Sequence, residues 1–194
     1  MLDKTFVPVK PFSNFKWQWA CLTCTEGLND PVVLLGVLQR MYKLERSHLH
    51  FSSSEFAHEM DDLTKDVVNA GLNVDLRSGS RNLIRNSGQY WKAVRLIPKE
   101  THGMIELTDF GREVASHQIS QAEFAAVTIQ TLTLPNTAIM SPAICRDWTS
   151  HGLFLTPLKL LLQVIYELNR RSPEQGYIPV SYTHLRAHET VLDL

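Results

Sequence analysis

The sequence predicts a mainly α-helical fold with a small β wing. Three observations support this prediction. Apolar residues recur at helical spacing in several segments, most of these segments open with a helix-capping residue, and one short segment after a glycine turn alternates like a strand. Hydrophobic content of 44% is typical of a globular domain.

The first two helices are predicted from their start signals. Asn29 or Asp30 followed by Pro31 is a cap with proline in the first turn, so a helix is expected from there to about Glu45. A second helix is expected from a capping box in the segment 52–55, where Ser52 stands three residues before a glutamate. Gly71 is expected to end it. Its inward residues should be Phe56, Met60, Leu63 and Val67.

A third helix is predicted from Ser80 to Ile97, and Pro98 should close it. At 100° per residue, Leu83, Trp91 and Val94 share one face with other apolar groups. Basic and amide side chains occupy the rest. No acidic residue occurs from Leu76 to Lys99, whereas the preceding segment 55–75 is strongly acidic. The formal net charge of −1 therefore hides a local asymmetry.

The wing follows this helix. Gly103 should form a turn, and Met104–Leu107 alternates like a strand. Thr108 or Asp109 should then cap a short helix that ends at Ser116. This order of elements predicts a winged helix-turn-helix followed by a helical segment.

The C-terminal part should be helical with one irregular stretch. Ser120 and Glu123 form a capping box, and the segment 137–155 is expected to be irregular. A very hydrophobic helix should begin at Thr156-Pro157, and deep burial is expected for Leu158, Leu161, Leu162, Ile165 and Leu168. The predicted domains are an aromatic-rich arm (1–29), a winged-helix-like DNA-binding domain (30–118), a helical segment (119–178) and a tail (179–194).

The basic helix and the wing define a predicted nucleic-acid interface, because cationic groups bind phosphates and amide side chains bind base edges. Arg112 should pair locally with Glu113 or Glu106 instead. Three basic residues on a helix can also be a solvated face, and this interpretation stays open. The predicted DNA-binding residues are Arg77, Arg81, Asn82, Arg85, Asn86, Gln89, Lys92, Lys99 and His102.

Cys21 and Cys24 form a CxxC pair. A structural zinc site needs two further ligands, and no second CxxC or HxxxH follows. Two reduced thiols are therefore favoured over a metal or redox site. No catalytic residue is assigned. The chain contains no run of eighteen apolar residues and no signal-peptide pattern, so we expect a cytoplasmic protein without a membrane partner.

Residues 179–194 read PVSYTHLRAHETVLDL. This segment resembles the translation of a transposase-type sequencing adapter. The resemblance implies a tail that is not natural protein, so that the natural part of this chain stops near Ile178 because the DNA read stopped there. Without the tail, acidic and basic residues balance.

A further resemblance is carried by short phrases in a fixed order: LTDFGRE, a helix ending in LTLPN, LTPLKLLLQVIYELN, and GYI. LTxxGRxxA is common after the wing of winged-helix domains. The whole order, from about Asn29 to Ile178, resembles type II restriction endonucleases of the AlwI kind. The resemblance implies a DNA-reading region, with a Mg²⁺-dependent nuclease core further along the parent chain.

The nuclease core of that family requires [DE]xK, in which carboxylates hold the metal and lysine orients water. None of the eight lysines in this chain follows that pattern. We therefore expect a recognition fragment that is inactive and needs no cofactor, with double-stranded DNA as its partner. Homodimer formation is left open. Two alternatives remain, a stand-alone winged-helix transcriptional regulator and a helical protein-interaction module that binds no nucleic acid.

Overall fold

A computed structural model describes residues 10–13, 15, 30–72 and 88–177. Within these ranges the protein is mainly helical, as predicted, and contains no β-strand. The α-helices are α1 (Pro31–Leu44), α2 (Ser54–Asn69), α3 (88–93), α4 (Asp109–Ala115), α5 (Gln121–Thr131), α6 (Pro142–Ser150) and α7 (Pro157–Arg171). Short 3₁₀ turns follow α1 and α7, at Glu45–Ser47 and Pro173–Gln175.

The larger hydrophobic core lies between α1, α2 and the segment from α3 to α4. Helix α1 packs against both α2 and α4. The four residues predicted to face inward from α2 are all buried, together with Leu38 and Met41 of α1. Trp91, Leu96, Ile105 and Leu107 complete this core from the other side. The inner face predicted for α2 is thus confirmed.

Local sequence explains how α1 and α2 begin and end. Asp30 caps α1, its carboxylate accepting a hydrogen bond from the Val32 N–H at 2.8 Å. Helix α2 is capped by Ser53 and not by the predicted Ser52, since the Ser53 hydroxyl accepts the bond from Phe56 N–H. After α2, Gly71 adopts φ +85°, and Leu72 N–H closes the helix by bonding to the Val67 carbonyl.

Helix α3 ends earlier than predicted. Its helical residues stop at 93, and Arg95 adopts the left-handed φ of +67°, so the helix does not continue to Pro98. The Leu96 N–H bonds back to the Trp91 carbonyl, as in a Schellman ending. The end is fixed by tertiary structure, because Leu96 is fully buried and its carbonyl accepts a bond from Thr108 N–H.

The segment predicted to be a wing is extended but does not form a hairpin among the described residues. Met104 makes an isolated antiparallel bridge with His50 in the α1–α2 connection. Ile105 N–H donates to the Leu49 carbonyl, and Phe51 N–H donates to the Gly103 carbonyl. The predicted alternation is present, since Ile105 and Leu107 are buried. Their backbone partner is the α1–α2 connection and not a second wing strand.

A second, smaller core joins the N-terminal arm to α6. Phe15, Leu134, Met140 and Trp148 are buried together, and Phe12 stacks on His151 with ring centroids 4.2 Å apart. The expectation that 137–155 is irregular was wrong, because α6 begins there with Ser141 as its cap and Pro142 in its first turn. Phe6, Trp17 and Trp19 of the same arm lie outside the described residues.

The prediction of deep burial for α7 was also wrong. The helix forms over the expected residues and contacts α5. However, Leu161 and Leu162 are exposed, and Tyr166 is 65% exposed. Leu158, Ile165 and Leu168 are half-buried. The apolar composition predicted a helix buried in the core. In the described part of the chain, however, other residues pack against only one side of α7.

Candidate nucleic-acid interface

The described residues include four of the nine predicted DNA-binding residues, Gln89, Lys92, Lys99 and His102. The other five lie outside the described residues; they are Arg77, Arg81, Asn82, Arg85 and Asn86. The first four come from α3 and from the turn at 98–103, and the structure brings these two segments together.

Lys92 makes the connection between them. Its Nζ donates hydrogen bonds to the carbonyl oxygens of Lys99, at 2.8 Å, and Thr101, at 2.7 Å. The Lys92 side chain is half-buried, unlike the free cation that the helical projection predicted. The basic helix is therefore joined directly to the turn behind it.

The turn is also fixed from its other end. Thr101 is buried, and its hydroxyl donates to the Glu106 carboxylate at 2.9 Å. Gly103 adopts φ +80°, and a Cβ at that position would lie 2.0 Å from His50 Nε2. Glycine is therefore needed both for the left-handed backbone and for the close approach of the imidazole.

The side chains presented to solvent by this arrangement are Gln89, Lys99 and His102, which are all exposed. Among the described residues, Lys99 forms no ion pair or side-chain hydrogen bond. One acidic side chain, Glu100, is exposed in the same turn. An open pocket of about 310 Å³ lies beside Gln89 and Lys92, with Thr101 and Gly103 on its turn side. This surface offers hydrogen-bond donors to a ligand.

Sequence reasoning did not assign a site role to Arg95, although it lies on the same surface segment. Its side chain is exposed, and the guanidinium carbon lies 5.9 Å from the centroid of the Phe110 ring. This cation–π contact holds the guanidinium beside the start of α4. The basic run was visible in the sequence, but the left-handed backbone that turns Arg95 away from the helix was not.

Arg112 pairs with other residues than predicted. Its Nε and Nη2 donate to the Glu45 carboxylate, both at 2.9 Å, and Nη1 donates to Asp109 at 2.7 Å. Glu45 also accepts a bond from the Leu107 N–H at 2.7 Å. Burial raises the pKa of Glu45, but the bonds from Arg112 and Leu107 outweigh it and leave this pKa below its ordinary value. Arg112 is thus a structural residue that joins α4 to the end of α1.

The described residues contain no group of three or more histidine, cysteine or acidic side chains arranged to hold a metal ion. Cys145 is a free, half-buried thiol. Cys21 and Cys24 lie outside the described residues, so the preference for two reduced thiols stays a prediction. No helix in the described ranges is long and apolar enough to cross a membrane.

Comparison with known proteins gives no family assignment. No protein-family model matches the chain, and no curated protein or solved structure is significantly similar to it.

Proposed function

We propose that this chain binds double-stranded DNA sequence-specifically, as the recognition fragment of a type II restriction endonuclease of the AlwI kind. The observation that carries the proposal is the joining of α3 to the 98–103 turn by Lys92. The two joined segments carry an exposed amide, an exposed ammonium and an exposed imidazole: Gln89, Lys99 and His102.

Each group has a role that suits its chemistry. Lys99 and Arg95 would neutralise phosphates, and Gln89 would reach base edges together with Asn82 and Asn86. His102, in the turn, would contact the DNA backbone. The basic residues Arg77, Arg81 and Arg85 would extend the cationic stripe along the same segment of sequence. In this proposal the segment 98–108 takes the place of the wing of a winged helix.

The proposal assigns no cleavage to this chain, because it contains no [DE]xK sequence. Mg²⁺ would be required by the nuclease core of the full-length parent. A stand-alone winged-helix regulator would use the same DNA-binding surface. A second candidate function, a helical protein-interaction module, is favoured by a different observation, the exposed apolar side chains of α7.

Charge reversal tests DNA binding directly. In the variant Arg81→Glu/Arg85→Glu we expect duplex binding to be lost, because both cations project from the predicted polar face. The matched control is Lys159→Glu/Arg171→Glu, which reverses two exposed cations of α7 and should bind like the parent. Binding is measured by fluorescence anisotropy with a mixed-sequence duplex, and circular dichroism checks that each variant is folded.

Salt dependence provides the second measurement. Binding of the parent should weaken linearly on a log–log plot, with a slope of about −0.9 for each phosphate neutralised. Failure of the folded parent to bind duplex at about 50 mM salt would overturn the DNA proposal and leave the interaction module as the better candidate. Equal loss of binding in the α7 control would show that only net charge matters.

A further inference from the structure

Lys92 occupies a position that separates it from the other predicted DNA-binding cations. Two of its three ammonium hydrogens are committed to backbone carbonyls within its own chain, those of Lys99 and Thr101. Lys92 as a whole is half-buried on α3. Lys99, by contrast, is exposed and makes no side-chain bond among the described residues.

The two carbonyls belong to the turn that carries Lys99 and His102. The backbone of this turn closes through Thr101 N–H, which donates to the Pro98 carbonyl at 3.3 Å. Beyond the turn, the Gly103 carbonyl is held by Phe51 N–H at 2.8 Å. Lys92 therefore fixes the beginning of the turn, while the α1–α2 connection fixes its end.

We propose that Lys92 is a positioning residue, which clamps the 99–101 backbone and so orients Lys99 and His102 toward DNA, and that it does not itself neutralise a phosphate. This inference rests on the proposed DNA-binding function and refines it. An ammonium group already bound to two carbonyl dipoles has one hydrogen left and is held in place by those bonds, so it gains less from a phosphate than a free one. The phosphate contact of this surface is assigned to Lys99.

Two matched variants distinguish a role of Lys92 in holding the turn from a direct contact with a phosphate. Lys92→Met keeps most of the unbranched stem of the side chain but removes its donors and charge, and Lys99→Met makes the same change at the exposed neighbour. The clamp is measured without DNA, by hydrogen exchange of the Thr101 amide. We expect exchange about tenfold faster in Lys92→Met and no change in Lys99→Met, because only the first loses bonds that hold the turn. Equal exchange in the two variants would overturn the clamp.

The role toward DNA is measured by the salt slope of duplex binding. Lys99→Met should reduce the magnitude of the slope by about 0.9, whereas Lys92→Met should weaken binding and leave the slope unchanged. A decrease of about 0.9 in Lys92→Met would show that Lys92 contacts a phosphate and would overturn the proposal. Lys92→Arg, which retains donors for the two carbonyls, should restore slow exchange and most of the affinity.

Duplex binding and amide exchange test the proposed function and the role of Lys92 independently. If the folded parent does not bind duplex, the DNA-binding function and the positioning role toward DNA are both wrong, while the exchange experiment still decides whether Lys92 clamps the turn. If the parent binds and the exchange is unaffected by Lys92→Met, the positioning role alone is wrong.

Discussion

Glu45 shows how one carboxylate can connect three parts of this chain. It lies at the start of the 3₁₀ turn after α1, accepts the Leu107 N–H, and receives two bonds from Arg112 of α4. Its side chain is 16% exposed and that of Arg112 is 42% exposed. The carboxylate is therefore screened less than in an ordinary surface pair, and its loss would leave the Leu107 N–H without its carboxylate acceptor.

Stability should consequently depend on the ionisation of Glu45. Because its pKa is lowered in the folded protein, its contribution is present above the unfolded-state pKa and is lost as pH falls through the folded-state value. At neutral pH, Glu45→Gln should cost about 1–2 kcal/mol. The difference between variant and parent in urea midpoint should shrink below about pH 4. Glu113→Gln, on the same helix as Arg112, is the control and should differ little from the parent at any pH. A pH-independent loss in Glu45→Gln would contradict the ionic role.

The residue-scale interactions of the candidate site could be predicted only in part. Charge patterning identified the segment and the exposed groups Gln89, Lys99 and His102. The partners of Lys92 and Arg112 could not be found in this way, because Lys92 binds carbonyls that come close only when α3 ends early. Arg112 meets Glu45 only after α4 has docked on α1. Sequence spacing predicts ion pairs between residues that are close in the chain. The pairs that actually form depend on how the helices pack against each other.

Individual elements show why helix starts were easier to predict than helix ends. Caps are local, so the starts of α1, α4 and α5 follow from residues that precede each helix. The end of α3 depends on the phrase LTDFGREVA, which lies after it in sequence. Thr108 caps α4 by accepting the Gly111 N–H, and the same hydroxyl donates to the Arg95 carbonyl at 2.5 Å. One threonine thus begins α4 and satisfies the end of α3.

Gly111 is the residue that lets α4 approach the backbone just after α3 so closely. A Cβ at Gly111 would lie 2.2 Å from the Leu96 carbonyl oxygen. Because this oxygen is a backbone atom, it can move only if the main chain is distorted. Gly111→Ala should therefore destabilise the protein by about 2–3 kcal/mol, although alanine is intrinsically the better helix former. Thermal or urea unfolding provides the measurement.

The control for this prediction is Gly36→Ala in α1. Its added Cβ would meet a Leu63 methyl carbon at 2.6 Å, the end of a side chain that can shift. We expect a smaller cost than for Gly111→Ala. If Gly111→Ala were neutral or stabilising, α4 would not dock against Leu96 as described, and the physical explanation of the glycine in LTxxGRxxA would be wrong.

At the scale of the whole molecule, periodicity predicted the inner face of α2, because that face meets α1 across one core. The same reasoning failed for α7. Apolar composition predicts that a helix is buried, but it does not identify the element that packs against it. Helix α5, the neighbour of α7, exposes the small side chains Ala122, Ala125 and Ala126 to solvent. The described chain therefore covers α7 on one side only.

The exposure of α7 can be tested against the prediction that this helix is buried. Leu162 is 48% exposed, so Leu162→Gln should change the free energy of unfolding by no more than about 0.5 kcal/mol. Leu38→Ala, at a fully buried position of α1, is the reference and should cost about 2–5 kcal/mol. Both are measured as urea midpoints at low protein concentration. A cost for Leu162→Gln that approaches that of Leu38→Ala would show that α7 is covered in solution and would strengthen the interaction-module candidate.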